Sequence, residues 1–292
     1  MSNEVEMKLA LGPLGPDYLH RHPILAGVPS HRRTLLNTYF DTPEGDLQRM
    51  RVALRLRCSG DAWVQTLKTG GKGGGGLSVR GEWEWPVPGP HLDLEGLARL
   101  PAVQALDQSL LAKVQERFTT DFERDTWDIE YQGSQIEIAL DQGEITAAGH
   151  KVRIREAELE LKAGDSASLL ALADELAASV PLRPSDTSKA ARGSALLTGS
   201  WKLPEASAPA HWLHRATVAM DAYSDTRESD WLTQAATALE RLAETVPKAG
   251  HIALHLRTHQ LHNDDEDDWL SPEVGAALLT LSRQLPDSTE MS

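Results

Sequence analysis

The chain has 292 residues, of which 43 are acidic and 29 basic, so its formal net charge is −14. Hydrophobic residues make up 40% and charged residues 25%, which is typical of globular proteins and excludes a disordered chain. No apolar run reaches the roughly 18–20 residues of a membrane helix, and the first ten residues contain no apolar block, so we expect neither a membrane span nor a secretory signal. Cys58 is the only cysteine, which rules out an intrachain disulfide and favours the cytoplasm. An acidic chain is not expected to bind nucleic acid.

The composition changes near residue 199. Strand-like alternation is concentrated in residues 1–199, whereas residues 200–292 have helical spacing. Between them, residues 201–209 contain two prolines and several small residues, which indicates a linker. We therefore predict one domain over residues 1–199 and a small all-α domain of unknown role over residues 200–292. We also expect the first domain to fold and act without the second.

Taken in chain order, several segments of the first part alternate between charged and apolar residues with a period of two, as half-exposed strands do. The patterns are Glu-x-Glu-x-Lys at 4–8, Arg-x-Arg at 55–57, Arg-x-Glu-x-Glu at 80–84 and Glu-x-Glu-x-Glu at 156–160. Side chains two residues apart on a strand are about 6.5–7 Å apart, so like charges in such rows repel each other. These rows therefore favour faces that meet around a multivalent ligand.

Rows of carboxylates and rows of cations on one chain indicate a polyphosphate bound together with metal ions. Mg²⁺ prefers carboxylate and phosphate oxygens, and Arg and Lys bind phosphate. If the charged faces point inward, the apolar faces, which include Leu54 and Leu159, need an outer cover. The amphipathic stretches Leu92 to Val114 and Asp165 to Val180 are predicted to be the helices that supply it. The result is a closed antiparallel barrel with a charged lumen and outer helices.

The ordered motifs of residues 4–193 resemble the CYTH family, the triphosphate tunnel metalloenzymes, and within it the bacterial inorganic triphosphatases. The matching segments are Glu4–Lys8, Asn37–Pro43, Ala53–Arg57, Gln65–Thr69, Arg80–Glu82, Thr120–Arg124, Glu156–Lys162 and Ser188–Gly193. The resemblance implies an α+β fold built on an eight-stranded tunnel. It also implies hydrolysis of inorganic triphosphate to diphosphate and phosphate, with Mg²⁺ or Mn²⁺ as cofactor and water attacking the terminal phosphorus.

The resemblance also implies roles for individual residues. The carboxylates on the metal side are Glu4, Glu6, Asp141, Glu158 and Glu160. The substrate-binding cations are Lys8, Arg55, Arg57, Lys68, Arg124 and Lys189, to which the alternation adds Arg80. The predicted catalytic residues are Glu6, Glu82 and Lys8, the two carboxylates being candidates for orienting the water. Alternation alone adds three further lumen residues: Glu84, Glu137 and Glu156.

Other functions fit the same lumen. A class IV adenylate cyclase or a thiamine or nucleoside triphosphatase would need a site for an organic group, for which Trp63 and Trp127 are the candidates. A non-catalytic polyphosphate-binding module is a third possibility. The carboxylates argue against it, because binding a polyanion requires only cations.

Three further features are predicted to carry no chemistry. Residues 70–76 contain GxGxxG, but no helical pattern follows, so we expect a flexible hairpin loop near a tunnel mouth rather than a dinucleotide site. Cys58 is predicted to be a buried, inert thiol on the outward face. A stripe of histidines is interpreted as a solvated helix face ahead of the acidic run 264–268. Its members are His251, His255, His259 and His262.

Overall fold

The computed structural model describes residues 2–104, 108–262 and 269–285. Its strands are β1 (Ser2–Leu11), β2 (His31–Asp41), β3 (Val52–Ser59), β4 (Ala62–Thr69), β5 (Leu77–Val87), β6 (Gln115–Tyr131), β7 (Ser134–Ala147), β8 (His150–Ala163) and β9 (Leu182–Pro184). Its helices are α1 (Gly15–His20), α2 (Asp46–Arg49), α3 (Leu94–Ala98), α4 (Gln108–Leu111), α5 (Ala167–Ala177), α6 (Lys189–Thr198), α7 (Pro209–Thr226), α8 (Ser229–Ala243), α9 (Ala249–His262) and α10 (Pro272–Gln284).

Eight strands close into an antiparallel barrel in the order β5-β4-β3-β2-β6-β7-β8-β1, and β1 pairs again with β5. Strand β1 closes the barrel because one of its edges pairs with β8 and the first part of its other edge, Ser2–Met7, pairs with β5. The rest of that second edge, Leu9–Leu11, pairs with β9. The predicted closed eight-stranded barrel is confirmed, and a short ninth strand is added to it.

The apolar faces of the strands point outward and are covered by helices. On one side Leu9 and Leu159 are fully buried in a core that α5 completes with Leu172. On another side Leu54 packs in a core with Leu97 of α3. The alternation therefore places apolar side chains outside and charged side chains inside, which is the inverse of a barrel with an apolar interior.

The two predicted helical stretches have different outcomes. The stretch from Asp165 contains α5, and the Asp165 carboxylate accepts a hydrogen bond from the backbone N–H of Ala167 at 2.9 Å. The prediction of one helix over 92–114 is wrong, because α3 ends at Ala98 and a 3-10 turn occupies Pro101–Val103. The physical reason is Pro101, which lacks an N–H and whose ring clashes with a preceding helical turn.

Helices α7–α10 share a core that includes Leu239, Leu256 and Trp269. Helix α10 also contacts the barrel, because Leu279 belongs to the core formed by α5 and β1. At Gly275 a Cβ would lie 1.9 Å from the Leu182 carbonyl oxygen, so only glycine allows this approach.

The domain boundary at residue 199 stays a prediction. No helix in the described ranges has the length and apolarity needed to cross a membrane.

Two of the features set aside from the sequence have defined surroundings. Cys58 is half-buried rather than buried, because it lies at the rim of the barrel with its thiol 3.3 Å from the Gly60 carbonyl oxygen in the β3–β4 turn. In the histidine stripe, His255 Nε2 lies 2.8 Å from the Trp269 carbonyl oxygen, and His251 is exposed. The side chain of His262 and the acidic run 264–268 lie outside the described residues.

Candidate active site

The barrel encloses a cavity of about 1330 Å³ that is walled by the charged strand faces. Almost all of the predicted site residues line it: Glu4, Glu6, Lys8, Arg55, Arg57, Lys68, Arg80, Glu82, Arg124, Glu158, Glu160 and Lys189. Asp141 lies behind this wall, fully buried and bonded to Arg124. The fold therefore brings the predicted residues into one space, while their individual roles stay predictions.

A buried carboxylate cluster lies at and behind one part of the wall: Glu158 lines the cavity, whereas Asp141 and Glu156, the latter a predicted lumen residue, are buried behind it. Asp141, Glu156 and Glu158 each place an oxygen within 4.8 Å of the others. Two lysines bind them: Lys8 Nζ is 2.5 Å from Glu158 and 3.2 Å from Glu156, and Lys189 Nζ is 2.6 Å from Asp141 and 3.1 Å from Glu158. Lys189 also contacts Glu156. The two lysines, which lie 181 positions apart in sequence, therefore share Glu156 and Glu158.

Arg124 completes the charge balance of this cluster. Its guanidinium donates two hydrogen bonds of 2.6 Å to Asp141 and one of 2.5 Å to Glu158. Burial would raise the pKa of both carboxyl groups, but the surrounding cations outweigh it and lower each pKa below its ordinary value. Lys8, Lys189 and Arg124 face the three carboxylates, and Arg192 Nη1 lies 3.4 Å from Glu156 as well, so the protein itself compensates the negative charge of this cluster. A divalent cation would have to displace an ammonium group here.

A second acidic group lies along β1. Arg80 bridges its two members, with Nε 2.7 Å from Glu4 and Nη2 2.6 Å from Glu6. Lys68 Nζ lies 2.9 Å from both oxygens of Glu4. Burial would raise the pKa of Glu4, but Lys68 and Arg80 lower it to about 2. Glu4 is therefore ionised and ready to act as an oxygen ligand.

Glu160 extends this second group and is less well compensated. It lies opposite Glu6 in the β1–β8 pair and opposite Glu137 in the β7–β8 pair. Burial raises its pKa above the ordinary value, and the 2.8 Å contact with Lys162 does not offset this. Such hard carboxylate oxygens are the ligands that Mg²⁺ and Mn²⁺ prefer, and Glu160 is the one whose negative charge the protein leaves poorly compensated. The donor set of Glu4, Glu6 and Glu160 therefore fits a divalent metal.

Arg55 and Arg57 form the part of the wall where positive charge is in excess. Arg57 Nε donates to the Asn37 side-chain oxygen at 2.9 Å, which is a neutral partner. Arg55 has an ion pair of 4.0 Å with Glu82, and its Nε is buried with no hydrogen-bond partner among the described residues. Burial, together with repulsion from Arg55 and Arg124, lowers the pKa of Arg57 to about 9. An anion placed here would receive unused N–H donors.

Tyr39 and Asn37 belong to the site, although the sequence indicated no role for them. Tyr39 is buried, lies opposite Arg55 in the β2–β3 pair and stacks on Phe118 with ring centroids 4.8 Å apart. Burial would raise the pKa of its hydroxyl, but Arg55, Lys189 and Arg57 lower it below the ordinary value. The alternation of strand faces could have identified both residues, because positions 37 and 39 lie on one face of β2, opposite Arg57 and Arg55 of β3.

The glycine-rich segment 70–76 joins β4 to β5 and lines the cavity, as a hairpin loop at a tunnel mouth would. It is anchored, because the Gly76 N–H donates to the Asp186 carboxylate at 2.7 Å and Lys72 pairs with Val79 through backbone hydrogen bonds. Trp201 and Lys202 from the predicted linker line the same cavity.

The two tryptophans considered for an organic group do not line the cavity. Trp127 is buried in the outer core, where its ring contacts His20 at 5.2 Å. Trp63 lies on the outward face of β4, opposite Cys58. Among the described residues, Trp201 is the tryptophan that lines the cavity. Neither Trp63 nor Trp127 can therefore contact an organic group in this lumen. The aromatic side chains that line it are Tyr39, Phe40, Phe118, Phe122 and Trp201.

Three known proteins are similar to this chain in sequence or in structure. The inorganic triphosphatase of Haemophilus influenzae is 36% identical over 198 residues, which cover 66% of this chain and 54% of that protein, so the chain spans about half the length of this relative. Among solved structures, a candidate adenylyl cyclase from Hippeastrum with a dominant triphosphatase activity is 20% identical, with a TM-score of 0.48 and coverage of 69% of this chain and 98% of that protein. A candidate adenylate cyclase from Bacillus halodurans is 17% identical, with a TM-score of 0.37 and coverage of 71% and 96%.

The family model described as the CYTH domain matches residues 2–194 of the 292. The matched range includes all eight barrel strands, β9 and the first part of α6. It thus contains every residue of the two acidic groups and of the arginine pair. The chain belongs to the CYTH family.

Proposed function

We propose that the chain hydrolyses inorganic triphosphate to diphosphate and phosphate inside the barrel, with Mg²⁺ or Mn²⁺ as cofactor. The observation that carries this proposal is the arginine pair, Arg55 and Arg57, which lines the cavity with positive charge in excess: Arg57 bonds the neutral Asn37 side chain, and the ion pair of Arg55 with Glu82 spans 4.0 Å. Guanidinium groups with unused donors bind phosphate oxygens in fixed geometry. The Haemophilus influenzae relative, an inorganic triphosphatase, supports the choice of substrate.

The remaining cations extend the binding surface. Lys8, Lys189 and Arg124 lie on the cavity wall and are shared among carboxylates, so they can turn part of their hydrogen bonding to a phosphate chain. Phosphoryl transfer depends on positioning and on neutralising charge more than on covalent catalysis. A row of cations holding three linked phosphates supplies both requirements.

The acidic groups are assigned to the metal and to water. Glu4, Glu6 and Glu160 would hold the divalent ion, which when bound withdraws charge from phosphate oxygens. Glu158 would join them where a lysine ammonium group turns from it to the phosphate chain. Asp141 supports the site from behind through Arg124. Glu82 lies 3.2 Å from Lys68 and 4.0 Å from Arg55, so its carboxylate borders the arginine pair and is placed to orient a water molecule. Glu6 is the second candidate for this role.

The test is phosphate release from inorganic triphosphate, ATP and thiamine triphosphate with Mg²⁺, Mn²⁺ or EDTA. We expect the fastest release from inorganic triphosphate and none in EDTA. Faster hydrolysis of ATP or thiamine triphosphate, or formation of cyclic AMP, would show that inorganic triphosphate is not the preferred substrate. Binding of triphosphate without hydrolysis under any of these metals would indicate a binding module instead.

Arg57→Ala and Arg99→Ala are the matched variants for this assay. Arg57 lines the cavity, whereas Arg99 lies at the end of α3 with 79% of its side chain exposed. Each variant removes one guanidinium from the protein. Release should fall only in Arg57→Ala, because only that arginine faces the substrate.

A further inference from the structure

Two buried aspartates lie one turn apart on α7, outside the segment that the family model matches. Asp221 and Asp225 expose 3% and 4% of their side chains. Both face the barrel and bind arginines that precede α7 in the chain. Burying a carboxylate costs free energy unless it is paired, and neither aspartate contributes charge to the lumen itself. The proposed function therefore leaves them without a role.

Asp225 connects to the lumen through one arginine. Arg192 forms a two-point pair with it, Nε to Oδ2 at 3.0 Å and Nη2 to Oδ1 at 2.7 Å. The same guanidinium reaches Glu156, with Nη1 3.4 Å from Oε2. The other oxygen of Glu156 bonds Lys8 and Lys189. A carboxylate on α7 thus orients, through Arg192, the glutamate that holds two lumen lysines.

Asp221 fixes the chain on the other side of Lys189. Its Oδ1 accepts from Arg183 at 2.6 Å, and its Oδ2 accepts the backbone N–H groups of Asp186 at 3.2 Å and Thr187 at 3.1 Å. Lys189, the first residue of α6, comes two positions after Thr187, and Arg192 comes three positions after Lys189. The backbone just before the lysine and the side chain one turn after it are therefore both held by α7.

We propose that Asp221 and Asp225 are positioning residues of the triphosphate site, which set the places of Lys189 and Glu156 from outside the barrel. This inference rests on the proposed function. Partners that orient the ligand-contacting residues of a site are commonly worth about 10–100-fold in affinity or activity. The region after residue 199 then completes the site rather than merely following it.

The simpler explanation is that these ion pairs only attach α7 to the barrel. A double-mutant cycle separates the two explanations, using Asp225→Asn, Arg192→Gln and the combined variant of the full chain. Asp61→Asn, in the exposed β3–β4 turn, is the matched control. For each variant kcat and KM are measured with inorganic triphosphate and Mg²⁺, and Tm is measured by circular dichroism.

We expect Asp225→Asn to raise KM about tenfold with a smaller change in kcat, because a substrate-binding lysine is displaced. Asp61→Asn should match the wild type, and Asp225→Glu should recover part of the loss by restoring the charge. In the Arg192→Gln background, Asp225→Asn should add less than about twofold, since both act through one connection. Asp221→Asn should raise KM by the independent route through the backbone before Lys189.

A lowered Tm with wild-type KM and kcat in Asp225→Asn would overturn the inference. So would a combined variant whose fold-change in KM equals the product of the fold-changes in Asp225→Asn and Arg192→Gln, because independent effects multiply. If Asp225→Asn does not fold, Asp225→Glu and Asp221→Asn decide by the same criteria. A different result contradicts the proposed function, namely a wild-type chain that neither binds nor hydrolyses triphosphate. That result would contradict the inference as well. An active wild type with unchanged variants overturns the inference alone.

Discussion

Arg57 lies opposite Asn37 across the β2–β3 pair and donates from Nε to the asparagine side-chain oxygen at 2.9 Å. The cavity cations near it, Arg55 and Arg124, are paired with carboxylates instead. A neutral partner orients the guanidinium without cancelling its charge. The wall therefore holds a pre-positioned arginine whose attraction for an anion is undiminished.

We expect triphosphate with Ca²⁺ to raise Tm, because a ligand that binds only the folded state stabilises it by about 2.7 kcal/mol at a hundredfold excess over Kd. Orthophosphate should raise Tm less, since it reaches only part of the cation row. The rise should shrink in Arg57→Ala and stay unchanged in Arg99→Ala. Differential scanning fluorimetry measures this, and equal shifts for both anions at matched ionic strength would contradict a triphosphate site.

Replacing Glu158 by Gln separates binding from turnover. The change preserves shape but removes a carboxylate that binds Lys8, Lys189 and Arg124. These cations become freer to hold phosphate, so the affinity for triphosphate should not weaken, while kcat should fall by about 10²-fold because a proposed metal ligand is lost. Glu6→Gln should behave alike.

Calorimetry and phosphate release measure these two quantities, with Glu95→Gln, whose side chain is 91% exposed, as the control. A variant of Glu158 that loses triphosphate affinity but keeps a normal rate would show that this glutamate does not belong to the metal side.

The pKa of Glu4 predicts a change in acid stability. Its pKa in the folded protein, about 2, lies below the ordinary value of 4.5, so its ion pairs stabilise the fold above pH 4.5 and this contribution is lost as pH falls through about 2. The free energy of unfolding should therefore fall over this window, and the fall should be shallower in Glu4→Gln. Urea unfolding at a series of pH values measures the slope. Identical slopes would show that Lys68 and Arg80 do not hold this carboxylate ionised.

Gly193 sets how closely α6 approaches the barrel. A Cβ there would lie 2.2 Å from the ring of Phe118, which in turn stacks on Tyr39. Gly193→Ala should destabilise the protein by about 1–3 kcal/mol through overpacking and weaken triphosphate binding by displacing Lys189. Gly250→Ala in α9 is the control, because its Cβ would meet Ala243 at an ordinary 3.5 Å. Wild-type stability in Gly193→Ala would mean that α6 can move without cost.

A chain ending at Gly199 tests the domain division. The family motifs all precede this point, which favours a folded and active fragment. The truncation also removes Leu279 from the outer core and Asp225 from Arg192. We therefore expect a fragment that folds with a lower Tm and hydrolyses triphosphate with a higher KM. Full activity of the fragment would show that α7–α10 do not contribute to the site.

Alternation identified the strands whose two faces differ sharply in polarity, such as β1 and β8. It did not by itself indicate β2, because residues His31–Thr34 are all exposed and the two faces of that half of the strand look alike. Alternation did not identify Tyr39 and Asn37 for a similar reason, because both are uncharged and add nothing to a charge pattern. Their importance arises from the residues opposite them.

The sequence by itself determined the inward face of the strands that carry rows of charge, because a strand alternates its faces with a period fixed by the backbone and needs no knowledge of its neighbours. It also determined the closed barrel, since charged inner faces leave apolar faces that must be covered outside. Only the tertiary structure decided which charges meet. Strand register and helix docking set three arrangements: the pairing of Lys8 and Lys189 with one carboxylate cluster, the neutral partner of Arg57, and the contact of Asp225 with Arg192. These join residues far apart in the chain, and no local pattern encodes such distances.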